Sequence, residues 1–240
     1  MKLRIIDAVI KDGGSDETCL PYLRQKLRPD TEVTFERVEY GFPSVESELH
    51  GMVNGSEIVR LVKKAEEEGA DGVFINCFDD PGVYASRELV CIPVFGAYQP
   101  AVLTAMSLAD RVGIITTDRA GIISEERKAR INGFDRRIHA VRAVDMGVLS
   151  LAKNPDALVE RLAVTCVEMY ENDQIGALTL GCTGMHFAIE GLRAKLRAAK
   201  CPVTVIEPLQ NGVAYLEHIV MQKYTNALHV VTDIDSWKKR

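Results

Sequence analysis

The stretch that decides the fold is Ile175–Met185, which reads Ile-Gly-Ala-Leu-Thr-Leu-Gly-Cys-Thr-Gly-Met. Within it, Gly176–Leu180 is a short apolar run of the kind that forms a strand buried on both faces. Past Met185, apolar residues recur at helical spacing, so Cys182 is predicted to lie where a parallel strand ends and a helix begins. Open α/β sheets bind ligands at that edge, and a helix N-terminus there favours a thiolate. The sequence therefore predicts a functional thiol at Cys182.

The same construction occurs earlier in the chain, over Asp71–Gly82, which reads Asp-Gly-Val-Phe-Ile-Asn-Cys-Phe-Asp-Asp-Pro-Gly. Again a short apolar strand ends at a cysteine, Cys77, and a turn rich in Gly and Pro leads towards a helix. One such element is a weak signal. Two of them, half a chain apart, indicate that Cys77 and Cys182 serve one function.

Predicted strands and helices alternate along the whole chain, which is typical of an α/β protein built from parallel βαβ units. The order of these elements repeats, with both cysteines at equivalent places. We therefore expect two pseudo-symmetric, doubly wound lobes with mainly parallel sheets, over residues 1–97 and 98–207. A last helix over 208–225 is expected to return to the first lobe. A pseudo-twofold relation would bring the two cysteines face to face in a cleft between the lobes, which is the predicted active site.

The composition limits the classes of function. The chain has 240 residues, a net charge of −5 and no extended basic stretch, so we expect no nucleic-acid partner. No apolar run is long enough to span a bilayer and the N-terminus does not resemble a signal peptide, so we expect no membrane partner and a cytoplasmic location. The six cysteines would then remain reduced, and their spacing matches no zinc template, so no metal site is predicted.

A pair of thiols at one small pocket suits one kind of reaction particularly well. One thiolate takes a proton from a carbon atom, and the other thiol returns a proton to the opposite face of that carbon. Cysteine has an ordinary pKa of about 8.5, and a helix N-terminus lowers it towards neutrality, where general bases work best. The sequence therefore favours inversion of a stereocentre without a cofactor.

At this point the motifs resemble those of a known family. Asn76–Gly82, followed by the Ala-x-Arg-Glu of Ala85–Glu88, resembles the first cysteine motif of hydantoin racemases, and Leu180–Met185 resembles the second. Gly41–Ser47 is similar to the family's Gly-Pro-x-Ser-Ile-Glu loop. Two shorter pieces, Ile92–Gly96 and Thr116-Thr117, also fit the family. The resemblance covers about the first 225 residues and implies membership of the aspartate/glutamate racemase superfamily, a two-lobed α/β fold and cofactor-independent chemistry.

The resemblance and the strand-end positions together imply the site residues. Cys77 and Cys182 are the predicted catalytic pair, and no metal ligand is expected. Residues expected to contact a small-molecule substrate are Phe42, Pro43, Asn76, Phe78, Asp80, Gly96, Thr116, Thr117, Gly181, Thr183, Gly184 and Met185. One departure stands out, because the family's Asn-Pro-Asn-Thr after the first strand is replaced here by Asp7-Ala8-Val9-Ile10.

The sequence leaves two classes of substrate open, which are hydantoin-type rings and acidic amino acids. If Asp79 or Asp80 faces the pocket, its charge disfavours a dicarboxylate substrate, which favours 5-monosubstituted hydantoins or allantoin over aspartate or glutamate. His186 is either a proton relay or a structural histidine. Cys182 is expected to be the resting thiolate, because acidic residues closely follow Cys77 only.

Other functions remain as alternatives at this stage. An amino-acid racemase is the first, and a one-cysteine decarboxylase fits less well because both cysteines are present. A two-lobed small-ligand binding protein would explain the repeat but not the two matched cysteines. A thiol–disulfide protein would normally carry a C-x-x-C pair, which the sequence lacks. We expect the active form to be a homo-oligomer.

Overall fold

The computed structural model describes residues 1–10 and 17–226. They form two compact units, which are the first unit (Met1–Ala97 with the chain from Gly212 onward) and the second unit (Tyr98–Asn211). The short strand that the sequence suggests near 228–231 lies outside the described residues.

The first unit holds a four-stranded, fully parallel sheet in the order β2-β1-β3-β4. The central strand β3 is buried at every position, because helices cover both of its faces. The helix α2 begins after Ser47, whose side chain caps it by accepting from the N–H of His50. The elements of this unit, in chain order, are β1 (Lys2–Asp7), a 3-10 turn (Glu17–Cys19), α1 (Leu20–Arg24), β2 (Glu32–Arg37), α2 (Glu48–Glu67), β3 (Gly72–Asn76), α3 (Val83–Leu89) and β4 (Val94–Phe95).

The second unit repeats this arrangement with the order β6-β5-β7-β8, again fully parallel. Its central strand β7 is likewise buried at every position. Its elements are α4 (Tyr98–Leu108), β5 (Val112–Thr116), α5 (Arg119–Ile131), β6 (Ile138–Ala143), a 3-10 turn (Val148–Lys153), α6 (Pro155–Asp173), β7 (Ala177–Leu180), a 3-10 turn (Thr183–Ala188), α7 (Ile189–Ala198) and β8 (Thr204–Ile206).

The last helix, α8 (Pro208–Met221), leads the chain from the second unit back into the first. There it packs closely on β3. A Cβ atom on Gly212 would lie 2.4 Å from a ring carbon of Phe74, so only glycine allows the helix to come this near. Each unit also has its own apolar core between its sheet and its helices. The expectation of an α/β protein with mainly parallel sheets is confirmed.

The α-helices begin further from the two thiols than a position at a helix N-terminus implies. The sequence predicts a turn at Cys182 and a helical pattern past Met185; the structure has a 3-10 turn over Thr183–Ala188, and α7 begins only at Ile189. Cys77 is similarly six residues ahead of α3, which begins at Val83. The stabilising effect of a helix dipole falls off within one turn. Helix dipoles therefore give these two thiols much less support than the sequence suggested.

Candidate active site

The turn after β3 positions Cys77. Its side chain is half-buried, and its carbonyl oxygen accepts hydrogen bonds from the N–H of Asp80 (3.4 Å) and the N–H of Ala97 (3.2 Å). Asp80 has a φ of +51° and Gly82 a φ of +74°, so the chain uses the left-handed region twice to reverse direction. The two hydrogen bonds thereby connect the turn and the segment after β4 to Cys77.

The carboxylate of Asp80 lies directly against the backbone of Gly96. A Cβ atom on Gly96 would come within 2.0 Å of Asp80 Oδ1, so a larger residue would displace the carboxylate. The Arg87 guanidinium lies 4.8 Å from the ring centre of Phe95 and donates from Nε to the carbonyl of Val94 at 2.7 Å. Burial lowers the pKa of Arg87, and the negative charge of Asp80 acts in the opposite direction. Arg87 thus partly offsets the charge that Asp80 brings to this turn.

A buried polar row crosses the carboxyl ends of β1, β2 and β3. Asp7 is 2% exposed; its Oδ1 accepts from Asn76 Nδ2 at 2.8 Å, and its Oδ2 accepts from Arg37 at 3.1 Å. The strand register pairs Asp7 with both of these residues. Asp7 is the first of the four residues that replace the Asn-Pro-Asn-Thr of hydantoin racemases. Its polar contacts are the ion pair with Arg37 and the hydrogen bond from the Asn76 amide.

In the second unit, Cys182 is half-buried and directly precedes the 3-10 turn. Its carbonyl oxygen accepts from the N–H of Met185 at 3.2 Å. A Cβ atom on Gly184 would lie 3.4 Å from the sulfur, so this glycine leaves open space beside the thiol. Gly181 approaches the neighbouring strand so closely that its Cβ would lie 2.9 Å from Thr116 Cα.

The two threonines at the end of β5 are almost completely buried, with exposures of 3% for Thr116 and 6% for Thr117. Their carbonyl oxygens accept from the N–H groups of Val144 and Met146, at 3.1 and 2.9 Å. These bonds hold the end of β5 to the end of β6. The threonines therefore belong to the same carboxyl edge as Cys182.

His186 is held inside the 3-10 turn. Its Nδ1 lies 3.1 Å from the carbonyl oxygen of Thr183, and because a carbonyl only accepts, Nδ1 carries the proton and Nε2 the lone pair. Burial lowers the pKa of His186 below its usual value, which the hydrogen bond only partly opposes. The imidazole is therefore neutral near pH 7.

The predicted substrate contacts divide between the two units, six in the unit of Cys77 and six in the unit of Cys182. Phe78 and Met185 have side chains that are 2% and 0% exposed, and their assignment as substrate contacts stays a prediction. The group in the first unit comprises Phe42, Pro43, Asn76, Phe78, Asp80 and Gly96, and the group in the second comprises Thr116, Thr117, Gly181, Thr183, Gly184 and Met185.

Sequence reasoning missed several polar residues of the first unit, because their partners lie far away in the chain. Asp7 and Arg37 form their ion pair across two strands, and Asn54 binds the loop at Phe42 from within α2. A polar residue at a strand end is a usable signal for the first two. The sequence gives no such signal for Asn54, because it lies within the helix α2 and not at a strand end.

In residues 1–10 and 17–226, no cluster of three or more His, Cys, Asp or Glu side chains could hold a metal ion. Over the same residues, no helix combines the length and the apolar character needed to cross a membrane.

The family model described as Asp/Glu/Hydantoin racemase matches residues 17–216. A hydantoin racemase from Pseudomonas sp. (strain NS671) is 32% identical over 197 residues, which cover 82% of this chain and 77% of that protein.

The fold is also similar to solved structures of racemases. An allantoin racemase from Klebsiella pneumoniae matches with a TM-score of 0.88 and 26% identity, covering 100% of this chain and 97% of the other. A glutamate racemase from Bacillus anthracis matches with a TM-score of 0.62 and 17% identity, over 92% of this chain and 82% of the other. At that identity, the second likeness shows a shared fold alone.

Proposed function

Because the chain belongs to the Asp/Glu/hydantoin racemase family and is a racemase, we propose that it inverts the stereocentre next to a carbonyl in 5-monosubstituted hydantoins or allantoin. Cys77 and Cys182 are the two bases of this proposal. The observation that carries it is their matched position, since each half-buried thiol follows the central strand of a sheet with the same strand order. Similarity to a hydantoin racemase and to an allantoin racemase supports the substrate class.

The proposed reaction consists of two proton transfers. One cysteine, as the thiolate, removes the proton from the stereocentre, and the electron pair of the C–H bond moves towards the adjacent carbonyl oxygen. The other cysteine, as the thiol, then donates its proton to the opposite face of the same carbon. The first sulfur ends as a thiol and the second as a thiolate, so charge and protons balance without a cofactor.

A neutral ring fits the first unit better than a dicarboxylate does. Asp80 and Asp7 both present carboxylates around the end of β3, and the Arg37 guanidinium already pairs with Asp7. An aspartate or glutamate substrate would bring two carboxylates and a net charge of −1 next to them, which is unfavourable. A hydantoin ring adds no charge in its neutral form, and its ring N–H and C=O groups suit the polar atoms at this edge.

The test is an exchange experiment on the intact protein. Separate enantiomers of 5-benzylhydantoin, 5-methylhydantoin, allantoin, aspartate and glutamate are incubated in D₂O with reductant, with and without EDTA. Optical rotation and deuterium uptake at the stereocentre are followed together. We expect racemisation with exchange of the ring substrates, in both conditions. Exchange of aspartate or glutamate alone would identify an amino-acid racemase instead, and saturable binding of the rings without any exchange would contradict the proposal.

We also propose a cytoplasmic location and a homo-oligomeric assembly. All six cysteines lie within the described residues and none of them forms a disulfide there, which fits a reducing compartment. Exposed apolar side chains such as Leu108, Ile123 and Ile131 offer surface for contacts between copies. Cell fractionation tests the first proposal, and light scattering of the purified protein tests the second.

A further inference from the structure

The loop after β2 is held by one fully buried amide. Asn54 of α2 donates from Nδ2 to the carbonyls of Ala8 (2.8 Å) and Phe42 (3.0 Å), and its Oδ1 accepts from the N–H of Phe42 (2.8 Å). Gly41, with a φ of +140°, comes so close that a Cβ atom there would lie 2.2 Å from Asn54 Oδ1. The backbone on both sides of Phe42 is therefore fixed to the carboxyl edge of β1.

The ring of Phe42 is also fixed. It stacks on the imidazole of His50 with a centroid separation of 4.1 Å and an interplanar angle of 24°. That imidazole is itself positioned, because its Nδ1 accepts from the N–H of Glu46 at 3.3 Å. One face of the Phe42 ring is thus covered, while the side chain as a whole stays only half-buried. An aromatic ring held in one orientation with apolar surface to spare is a preorganised contact for a planar or apolar group.

The helix that holds Phe42 also contacts the turn that follows Cys77. A Cβ atom on Gly82 would lie 2.9 Å from the carbonyl oxygen of Gly55, and one on Gly55 would lie 3.2 Å from the nitrogen of Gly82. Asn54 and Gly55 are neighbours in α2. The position of the Phe42 ring is therefore set, within the first unit, relative to the turn that carries the thiol.

We propose that Phe42 is the residue that determines substrate side-chain specificity, with His50 and Asn54 as its positioning residues. This inference rests on the proposed hydantoin racemase function and names the substrate class more closely: rings whose 5-substituent is aromatic or similarly flat and apolar. Such a substituent gains contact with the exposed part of the Phe42 ring, whereas a 5-methyl group is too short to do so.

The test compares two substrates on the full-length protein. We expect the wild type to have a kcat/KM for 5-benzylhydantoin at least tenfold above that for 5-methylhydantoin. Phe42→Ala should lower this ratio about tenfold, mainly through KM for the benzyl substrate, which is the size expected for loss of one apolar pocket contact. His50→Ala should lower the ratio in the same direction, and His50→Phe, which keeps a ring in the stack, should restore it.

Met52→Ala serves as the matched control, because this side chain lies on the same helix and is 70% exposed. It should leave the ratio unchanged. A ratio that stays at the wild-type value in active Phe42→Ala and His50→Ala proteins, or a wild type without preference, overturns the inference while leaving the proposed function standing. A wild type that racemises allantoin but neither 5-benzylhydantoin nor 5-methylhydantoin overturns the inference alone. A wild type that racemises none of the three overturns the proposed function and this inference with it. If Phe42→Ala does not fold, the two His50 variants decide the question.

Discussion

The turns after Cys77 and Cys182 occupy the same place in two sheets of identical strand order, yet they are built differently. The first is a tight turn through two left-handed residues, with the Asp80 carboxylate on one side and Arg87 close by. The second is a 3-10 turn that holds a neutral His186, with no acidic residue before Glu190.

The difference teaches that topology and electrostatics are separable in this protein. Parallel strands of equal order bring a thiol to the same edge of each sheet, because the strand ends there. The charges around each thiol depend on turn residues and on partners from other strands, and these are not repeated. The two cysteines therefore have equivalent positions but are expected to play unequal chemical roles.

The largest expected effect comes from removing either thiol. Cys77→Ala and Cys182→Ala should each lower racemisation by at least about 10³-fold, because each variant lacks the proposed acid–base group for one face of the substrate. Polarimetry with purified variants measures this, and circular dichroism checks that they fold. Cys91→Ala, which changes an exposed cysteine, should keep full activity. Near wild-type racemisation in either alanine variant would contradict the two-base mechanism.

The next comparison separates the faces of the substrate. Serine variants keep the size of the side chain but supply a hydroxyl that is far less acidic than a thiol. Cys77→Ser should still exchange the proton of one enantiomer in D₂O, and Cys182→Ser that of the other. Solvent-exchange NMR on pure enantiomers shows which enantiomer each variant exchanges. If both variants lose exchange for both enantiomers equally, the two sulfurs do not have separate roles.

Two glycine substitutions compare the packing of the two turns. At Gly181 an added Cβ would meet the backbone at Thr116 Cα, 2.9 Å away. At Gly96 the nearest atoms are those of the Asp80 side chain, and the nearest backbone atom, Asp80 Cα, is 3.2 Å away. Gly181→Ala should therefore lower the free energy of unfolding by about 1–3 kcal/mol, and Gly96→Ala by less. Urea denaturation gives both values. A larger loss at Gly96 would show that the Asp80 turn is the more rigid of the two.

A smaller, several-fold difference is expected in thiol reactivity. Iodoacetamide should label Cys182 faster than Cys77 near neutral pH, because the carboxylate of Asp80 opposes ionisation near Cys77 and Arg87 offsets it only in part. Cys166 provides an internal reference, since burial and the neighbouring Cys201 raise its pKa to about 12. Peptide mass spectrometry reads all of these sites. Faster labelling of Cys77, in the wild type and in single-cysteine variants alike, would reverse the assignment.

The smallest effect concerns the second turn alone. Burial lowers the pKa of His186 in the folded chain, so below its usual pKa of 6.5 the unfolded chain binds more protons than the folded one. Its contribution to stability should therefore be present above pH 6.5 and be lost as the pH falls from there towards the folded-state value. His186→Asn, which keeps a donor for Thr183, should flatten this part of the profile. Urea midpoints between pH 8 and 5 measure it, and identical slopes would refute it.

Much of the fold could be read from local patterns. The buried strand before Cys77 is found over Gly72–Asn76 as expected, and the one before Cys182 begins one residue later than expected, at Ala177. Continuous apolar runs of this length identify strands covered on both faces. The helix expected past Met185 is present but begins only at Ile189, after a 3-10 turn, because apolar spacing does not distinguish a 3-10 turn from the first turn of an α-helix.

The sequence by itself determined the α/β class and the repeat, because strand and helix periodicity and turn residues are local properties of the chain. It also predicts the two cysteines as the centre of the function. Only the tertiary structure decided what surrounds Cys77. The Asp7–Arg37 ion pair depends on strand register, and the hold of Asn54 on Phe42 and Ala8 depends on how α2 packs over the sheet. Residues far apart in sequence become neighbours only when strands pair and helices pack, and no local pattern records that.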